Sequence, residues 1–152
     1  MAYGVMFHVE KDYDISSRKF KELLKAIDVE KYVWKITESD FYNRSNLQNI
    51  LERNQITGGK KILDELNCDV MMIWIALEGY KSEKDIEESD GTFKKYLESK
   101  CEIAVFVVDT YMFTVYSKND VVLNNAIEFA KKNTTGKIEI TGEEHADCYF
   151  GV

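Results

Sequence analysis

Val70 to Leu77 (VMMIWIAL) and Ile103 to Val108 (IAVFVV) are the two stretches that decide the fold of this chain. Neither alternates polar with apolar residues. Each has the length of a strand, is bounded by charge, and is rich in branched or aromatic side chains. Runs of this kind fit strands buried on both faces of a sheet. They predict an α/β to α+β fold, a layered domain with a mixed central β-sheet packed by helices. At 152 residues the whole chain, 1–152, reads as one globular domain.

Upstream, Tyr3 to Val9 alternates as a first strand, with Tyr3, Val5, Phe7 and Val9 on one side. A helix is predicted to run to about Ile27, because Phe20, Leu23, Leu24 and Ile27 follow the i, i+3, i+4, i+7 spacing of one apolar stripe. Asp14 or Ser16 is its expected cap. Tyr32 to Ile36 reads as a second strand. Ser45 to Gln48 has the form of a capping box, which predicts a short helix through Leu47, Ile50 and Leu51. Gly58-Gly59 ends it, and Ile62, Leu63 and Leu66 mark another.

Between the two apolar runs, residues 79–91 read as a polar loop, followed by a helix carrying Phe93, Tyr96 and Leu97 with Asp90 as its cap. Tyr111 to Tyr116 is the expected hairpin partner of the second run. A helix with Val122, Leu123, Ala126, Ile127 and Ala130 follows, capped by Asn119 or Asp120. Ile138 to Ile140 reads as a short strand, and Cys148 to Val152 as a further edge strand. The expected order is βαβααβαββαβ.

Wording along the chain resembles a small, uncharacterised family of proteins from Gram-positive, Bacillus-like bacteria, known as a domain of unknown function. The segments are GVMFHVE near the start, AIDVEKYVWKI at 26–36, KCEIAVFVVDTYMFTVYSKN at 100–119 and NNA at 124–126. The resemblance implies no activity, cofactor or catalytic residue.

The net charge is −7, and the excess acid lies after residue 51, at −3 over 52–100 and −4 over 101–152. Such a surface repels phosphate backbones and disfavours nucleic acid. It suits a basic protein partner, or serves solubility alone. No apolar stretch approaches the ~20 residues of a membrane span, and no basic segment followed by an apolar one opens the chain. The three cysteines, Cys68, Cys101 and Cys148, form no CxxC or Cys/His cluster, so reduced thiols in the cytoplasm are expected, with no metal and no cofactor.

Candidate chemistry is sparse. His8 sits in a strand without a readable partner. Glu143, Glu144, His145 and Asp147 form either a weak cation site or a solvated turn. Thr57-Gly58-Gly59-Lys60-Lys61 lacks the GxxxxGK[ST] spacing of a phosphate loop, with no strand expected to lead into it. Glu78 and Asp109 end the two apolar runs. On parallel neighbouring strands these carboxylates would share one edge beside Tyr111, where α/β sites lie.

The sharpest charge feature is 83–90 (EKDIEESD), with five acids and one lysine. Glu83, Asp85, Glu87, Glu88 and Asp90 there are the candidate contacts for a basic protein, with Tyr80, Phe93 or Tyr96 as aromatic anchors. The expected function is therefore non-enzymatic protein binding, of the immunity, inhibitor or counter-defence type. A small-molecule-binding domain or enzyme with a pocket at Glu78, Asp109 and Tyr111 is the alternative. The strand 111–116 is apolar enough on both sides to line a homodimer.

Overall fold

In a computed structural model describing residues 2–67, 69–88 and 90–142, the two apolar runs lie side by side as β4 (Val70–Tyr80) and β5 (Ile103–Val108). Around them are β1 (Ala2–His8), α1 (Tyr13–Ala26), β2 (Val33–Asn43), β3 (Ile56–Gly58), α2 (Gly59–Glu65), α3 (Phe93–Glu98), β6 (Met112–Ser117), α4 (Asp120–Asn133) and β7 (Glu139–Gly142). The strands form one sheet in the order β3-β2-β4-β5-β6-β1-β7. The layered α+β class stands.

Strand direction differs from expectation, because every pairing is antiparallel. The reason lies in the link from β4 to β5. A parallel neighbour needs a crossover to the far end of the sheet. Here residues 81–102 return to the end they left, so Gly79 pairs with Ile103 and the Glu102 amide donates to the Gly79 carbonyl at 2.9 Å. The link is a strap, with α3 as its helical part.

One face of the sheet carries the main core, including Val5, Phe7, Trp34, Ile36, Ile75, Leu77, Val105, Val107, Phe113 and Val115, under α1 and α4. The predicted stripe of α1 is fully buried. Its cap, however, is Asp12, which accepts from the Ile15 amide at 2.9 Å. Ser16 turns inward and donates to the Thr110 carbonyl, while Asp14 pairs with Arg44 at 2.8 Å. Asn119 caps α4, accepting from the Val121 and Val122 amides at 2.9 and 3.2 Å. Thr92, not Asp90, caps α3, accepting from the Lys95 amide at 3.1 Å.

No helix forms at 45–51. The Asn43 and Asn46 side chains accept from the Ser45 and Gln48 amides, each at 2.9 Å, and Leu47 sits at φ 57°. Asparagine offering its own oxygen to nearby amides is what makes it a turn former. The chain therefore doubles back along β2 and enters β3. A strand does lead into Thr57–Lys61, contrary to expectation. The start of α2 is nonetheless closed: a Cβ at Gly59 would lie 2.2 Å from the Val29 carbonyl oxygen. The backbone of residues 29–30 packs directly against Gly59.

The EEHAD cluster at 143–147, Cys68, Cys148 and the expected strand at 148–152 lie outside the described residues.

Candidate functional site

The second face of the sheet carries the candidate residues, and side-chain alternation sorts it into rows across the strands. One row runs Lys35, Glu78, Ala104, Tyr116, Gly4 and Thr141. The next runs Glu38, Ala76, Phe106, Thr114, Met6 and Glu139. Beyond it come Asp40, Trp74, Val108, Met112 and His8.

The strap covers the first of these rows and the Ala76 and Phe106 part of the second. Phe93, Tyr96 and Ile86 close over Ala76, Tyr80, Cys101, Ala104 and Phe106 as a second, smaller core. Phe93 is stacked on Tyr96 with centroids 5.9 Å apart and meets Tyr3 edge-on at 5.6 Å. This arrangement revises the expected contact site. Tyr80 and Phe93 are each 1% exposed, so they anchor the strap rather than a partner.

The acids of 83–90 are largely employed within the strap as well. Asp85 accepts from the Ser82 hydroxyl at 3.1 Å and lies 3.6 Å from the Lys100 ammonium. Glu87 accepts from the Lys100 amide at 2.8 Å. Asp90 accepts from the Thr92 amide and hydroxyl at 2.9 and 2.6 Å, and these bonds hold its carboxyl below the usual range. Glu83 and Glu88 are exposed.

Glu78 lies beneath this cover. Its Oε1 is buried with no hydrogen-bond partner among the described residues, and its Oε2 is 3.4 Å from the Tyr80 hydroxyl. Burial raises the Glu78 carboxyl, against the opposing pull of Lys35. Burial likewise raises the phenols of Tyr80 and Tyr96. It pushes the Cys101 thiol up to about 12, so this cysteine is a packed side chain and no nucleophile at neutral pH.

Glu78 and Asp109 do not share an edge. Glu78 is opposite Ala104, whereas Asp109 follows Val108 at the other end of β5. Five residues of strand, roughly 17 Å, separate them. Asp109 is in the β5–β6 turn, exposed and paired with Lys11 at 3.1 Å. Tyr111 lies beside it, with Lys11 5.2 Å from its ring centroid and His8 edge-on at 5.1 Å. Antiparallel pairing thus divides the expected pocket between the two ends of the sheet. Both Asp109 (φ 50°) and Thr110 (φ 73°) are in the left-handed region, unusual for adjacent non-glycine residues.

Among the described residues, what remains open on this face is an apolar strip. Trp74, Val108, Met112 and Met6 are half-buried, joined by Met71 and Ile73. Alternation aims them away from the main core, and they stand beyond the row that the strap seals. Carboxylates of Glu38 and Asp40 border the strip on the β2 side and Glu139 on the β7 side; all three residues are exposed. Glu38 shares its charge with Arg53 at 3.5 Å.

Sequence reasoning placed Trp74 and Val108 inside an unbroken buried run. The register shift between Asp40 and Phe41, opposite Trp74 and Met72, is what turns Trp74 outward.

The family profile described as "Protein of unknown function (DUF2691)" matches residues 2–148. The chain belongs to this family. No curated protein and no solved structure matches it. The family description carries no activity, so the chemistry of this family member is read from its own residues. Among the described residues, no group of three or more His, Cys, Asp or Glu side chains is placed to hold a metal ion. Nor is any helix among them long and apolar enough to cross a membrane.

Proposed function

We propose that this domain is a non-enzymatic protein-binding module of the cytoplasm, acting in the manner of an inhibitor or immunity factor by covering a partner's surface. Its docking face is the strip of Trp74, Val108, Met112 and Met6, and its partner is a basic protein. The observation that carries this reading is the uncovered half of the second sheet face. A sheet face is stable when another layer buries it. Here the strap supplies that layer for one half only. An aromatic anchor among aliphatic and thioether side chains, ringed by polar groups, is the anatomy of a binding surface.

The choice of partner rests on charge. Glu38, Asp40 and Glu139 rim the strip, and the whole chain carries −7. A second copy would bring the same charges to meet these, whereas a basic surface would be steered toward them. The acidic segment 83–90 contributes to that field through Glu83 and Glu88 and is not the contact itself.

The test is comparative capture from host lysate by tagged wild type, Val108→Glu and Glu83→Ala/Glu88→Ala proteins. The reading expects a stoichiometric partner of high isoelectric point, released by salt, lost with Val108→Glu and retained by the double alanine variant. Equal capture by wild type and Val108→Glu would overturn the docking face. A homodimer that dissociates on Val108→Glu would replace the basic partner by a second copy.

A further inference from the structure

We propose that the described residues of the β4–β5 link, 81–88 and 90–100, form a displaceable cover seated on Glu78, so that loss of the Glu78 proton loosens the cover while the rest of the sheet stays folded. The proposal goes beyond the docking reading and does not depend on it. The segment concerned adjoins the open strip, and its release would lengthen the exposed face toward Phe106 and Tyr116.

The geometry carries the argument. The strap crosses the sheet from the end of β4 to the start of β5, and among its described residues it holds a three-residue 3-10 turn at Glu83–Asp85 and one α-helix of six residues. A helix that short has no stability of its own and depends on what it packs against. Beside the packing of Phe93, Tyr96 and Ile86, polar contacts tie it down. The Glu102 amide donates to Gly79 at 2.9 Å, the Tyr96 hydroxyl to the Glu102 carbonyl at 3.2 Å, and the Lys118 ammonium to the Ser99 carbonyl at 2.6 Å. The same ammonium stands 4.7 Å from the Tyr96 ring centroid.

Under these fastenings lies a carboxyl with one oxygen sealed from solvent and unpaired. As a neutral acid Glu78 tolerates that place. As an anion it has the weak Tyr80 contact and must find water for Oε1, and water reaches it when the strap lifts.

The charged and titratable groups around it set the sign. Lys35 faces Glu78 from β2 and favours the anion, while Glu88 faces it from the strap and opposes it. Tyr80 on the same strand and Cys101 at the start of β5 are both held neutral by burial. Further out, Glu102 and Lys118 flank Tyr96 and Cys101. Within the strap, Asp85 lies 3.6 Å from the Lys100 ammonium and Glu87 accepts from the Lys100 amide. Loosening with rising pH is therefore the mark of Glu78.

If the closed form holds the proton more tightly than the open form, opening rises about tenfold per pH unit above the ordinary carboxylate value, then levels off beyond the closed form's own value.

Hydrogen exchange of the full-length protein from pH 4.5 to 8, corrected for intrinsic rates, reads this at the Ser99, Lys100 and Glu102 amides. Val105 and Val115 in the main core serve as reference. The expected result is a tenfold-per-unit loss of protection in the strap with a plateau, strap protection below that of the core at every pH, and no slope in Glu78→Gln. Lys35→Gln, which removes the charge favouring the anion, should move the plateau to higher pH. Equal slopes in wild type and Glu78→Gln, a flat wild-type profile, or strap amides as strongly protected as the core would each overturn the proposal. Should Glu78→Gln fail to fold, an unshifted plateau in Lys35→Gln would overturn it alone.

Discussion

The two tryptophans give the sharpest contrast, because they occupy opposite faces of one sheet. Trp34 is fully buried, and its indole donates to the Val29 carbonyl at 2.8 Å. Trp34→Phe removes the donor and leaves that carbonyl unsatisfied, at a cost of about 1–3 kcal/mol. It also removes roughly 40 Å³ of side chain, which at ~24 cal/mol per Å³ of cavity adds about 1 kcal/mol. The expected loss is about 2–4 kcal/mol, a large share of the ~5–15 kcal/mol that holds a domain folded. At this chain length it amounts to a fall in Tm of about 4–16 °C.

Trp74→Ser deletes more atoms, yet Trp74 is half-buried and lies on the open strip, so it loses chiefly cross-strand contacts, about 1 kcal/mol or less. Urea denaturation followed by far-UV circular dichroism measures both changes in one experiment. If Trp74→Ser costs as much as Trp34→Phe, Trp74 is a core residue and the docking face does not exist.

Three further outcomes follow from the same geometry. Gly59→Ala forces a methyl group to within 2.2 Å of the Val29 carbonyl oxygen, so the backbone must move; the urea midpoint should show a loss of about 3 kcal/mol. Because burial raises the Glu78 carboxyl in the folded state, its contribution to stability is fully present below the ordinary value of 4.5 and is lost as pH rises through the folded value. The stability of wild type relative to Glu78→Gln should therefore be greatest near pH 4 and decline toward pH 7.5, and a constant difference in paired urea titrations would contradict this. Cys101, with its thiol pushed up to about 12 and 1% exposed, should resist iodoacetamide at pH 7.5 in the native protein and react in urea, as peptide mapping would show.

Much of the fold was legible because the apolar runs and the helical stripes are long and regular. Phe20 to Ile27, Val122 to Ala130 and the 103–116 hairpin stand where their spacing puts them. What was not legible turned on local competition and on topology. Asn43 and Asn46 use their side chains to make a turn where Ser45 to Gln48 has the letters of a capping box. Strand direction is set by where the 81–102 link returns, and spacing alone does not encode that.

The candidate site suffered for the same reasons. Without the antiparallel register, Glu78 and Asp109 seem to end together. The acids of 83–90 look free when three of the five bind their own strap, and a one-residue register shift hides the outward turn of Trp74 inside an apolar word.

The place of β1 has a consequence for how the protein is made. The first strand lies between β6 and β7, whose residues leave the ribosome last. At ~5–20 residues per second, Val5 and Phe7 wait several seconds to tens of seconds for Phe113 and Val115 to be synthesised. Once β4 has emerged, β2 and β3 have all their partners, whereas β1 has none. Closure of the sheet is thus postponed until β6 and β7 have been made, and a chain halted before residue 112 would expose an apolar strand with nothing to pair it. Such non-local pairing also places the domain among slow folders, and makes the nascent N-terminus, rather than the finished surface, the point at which a chaperone would be needed.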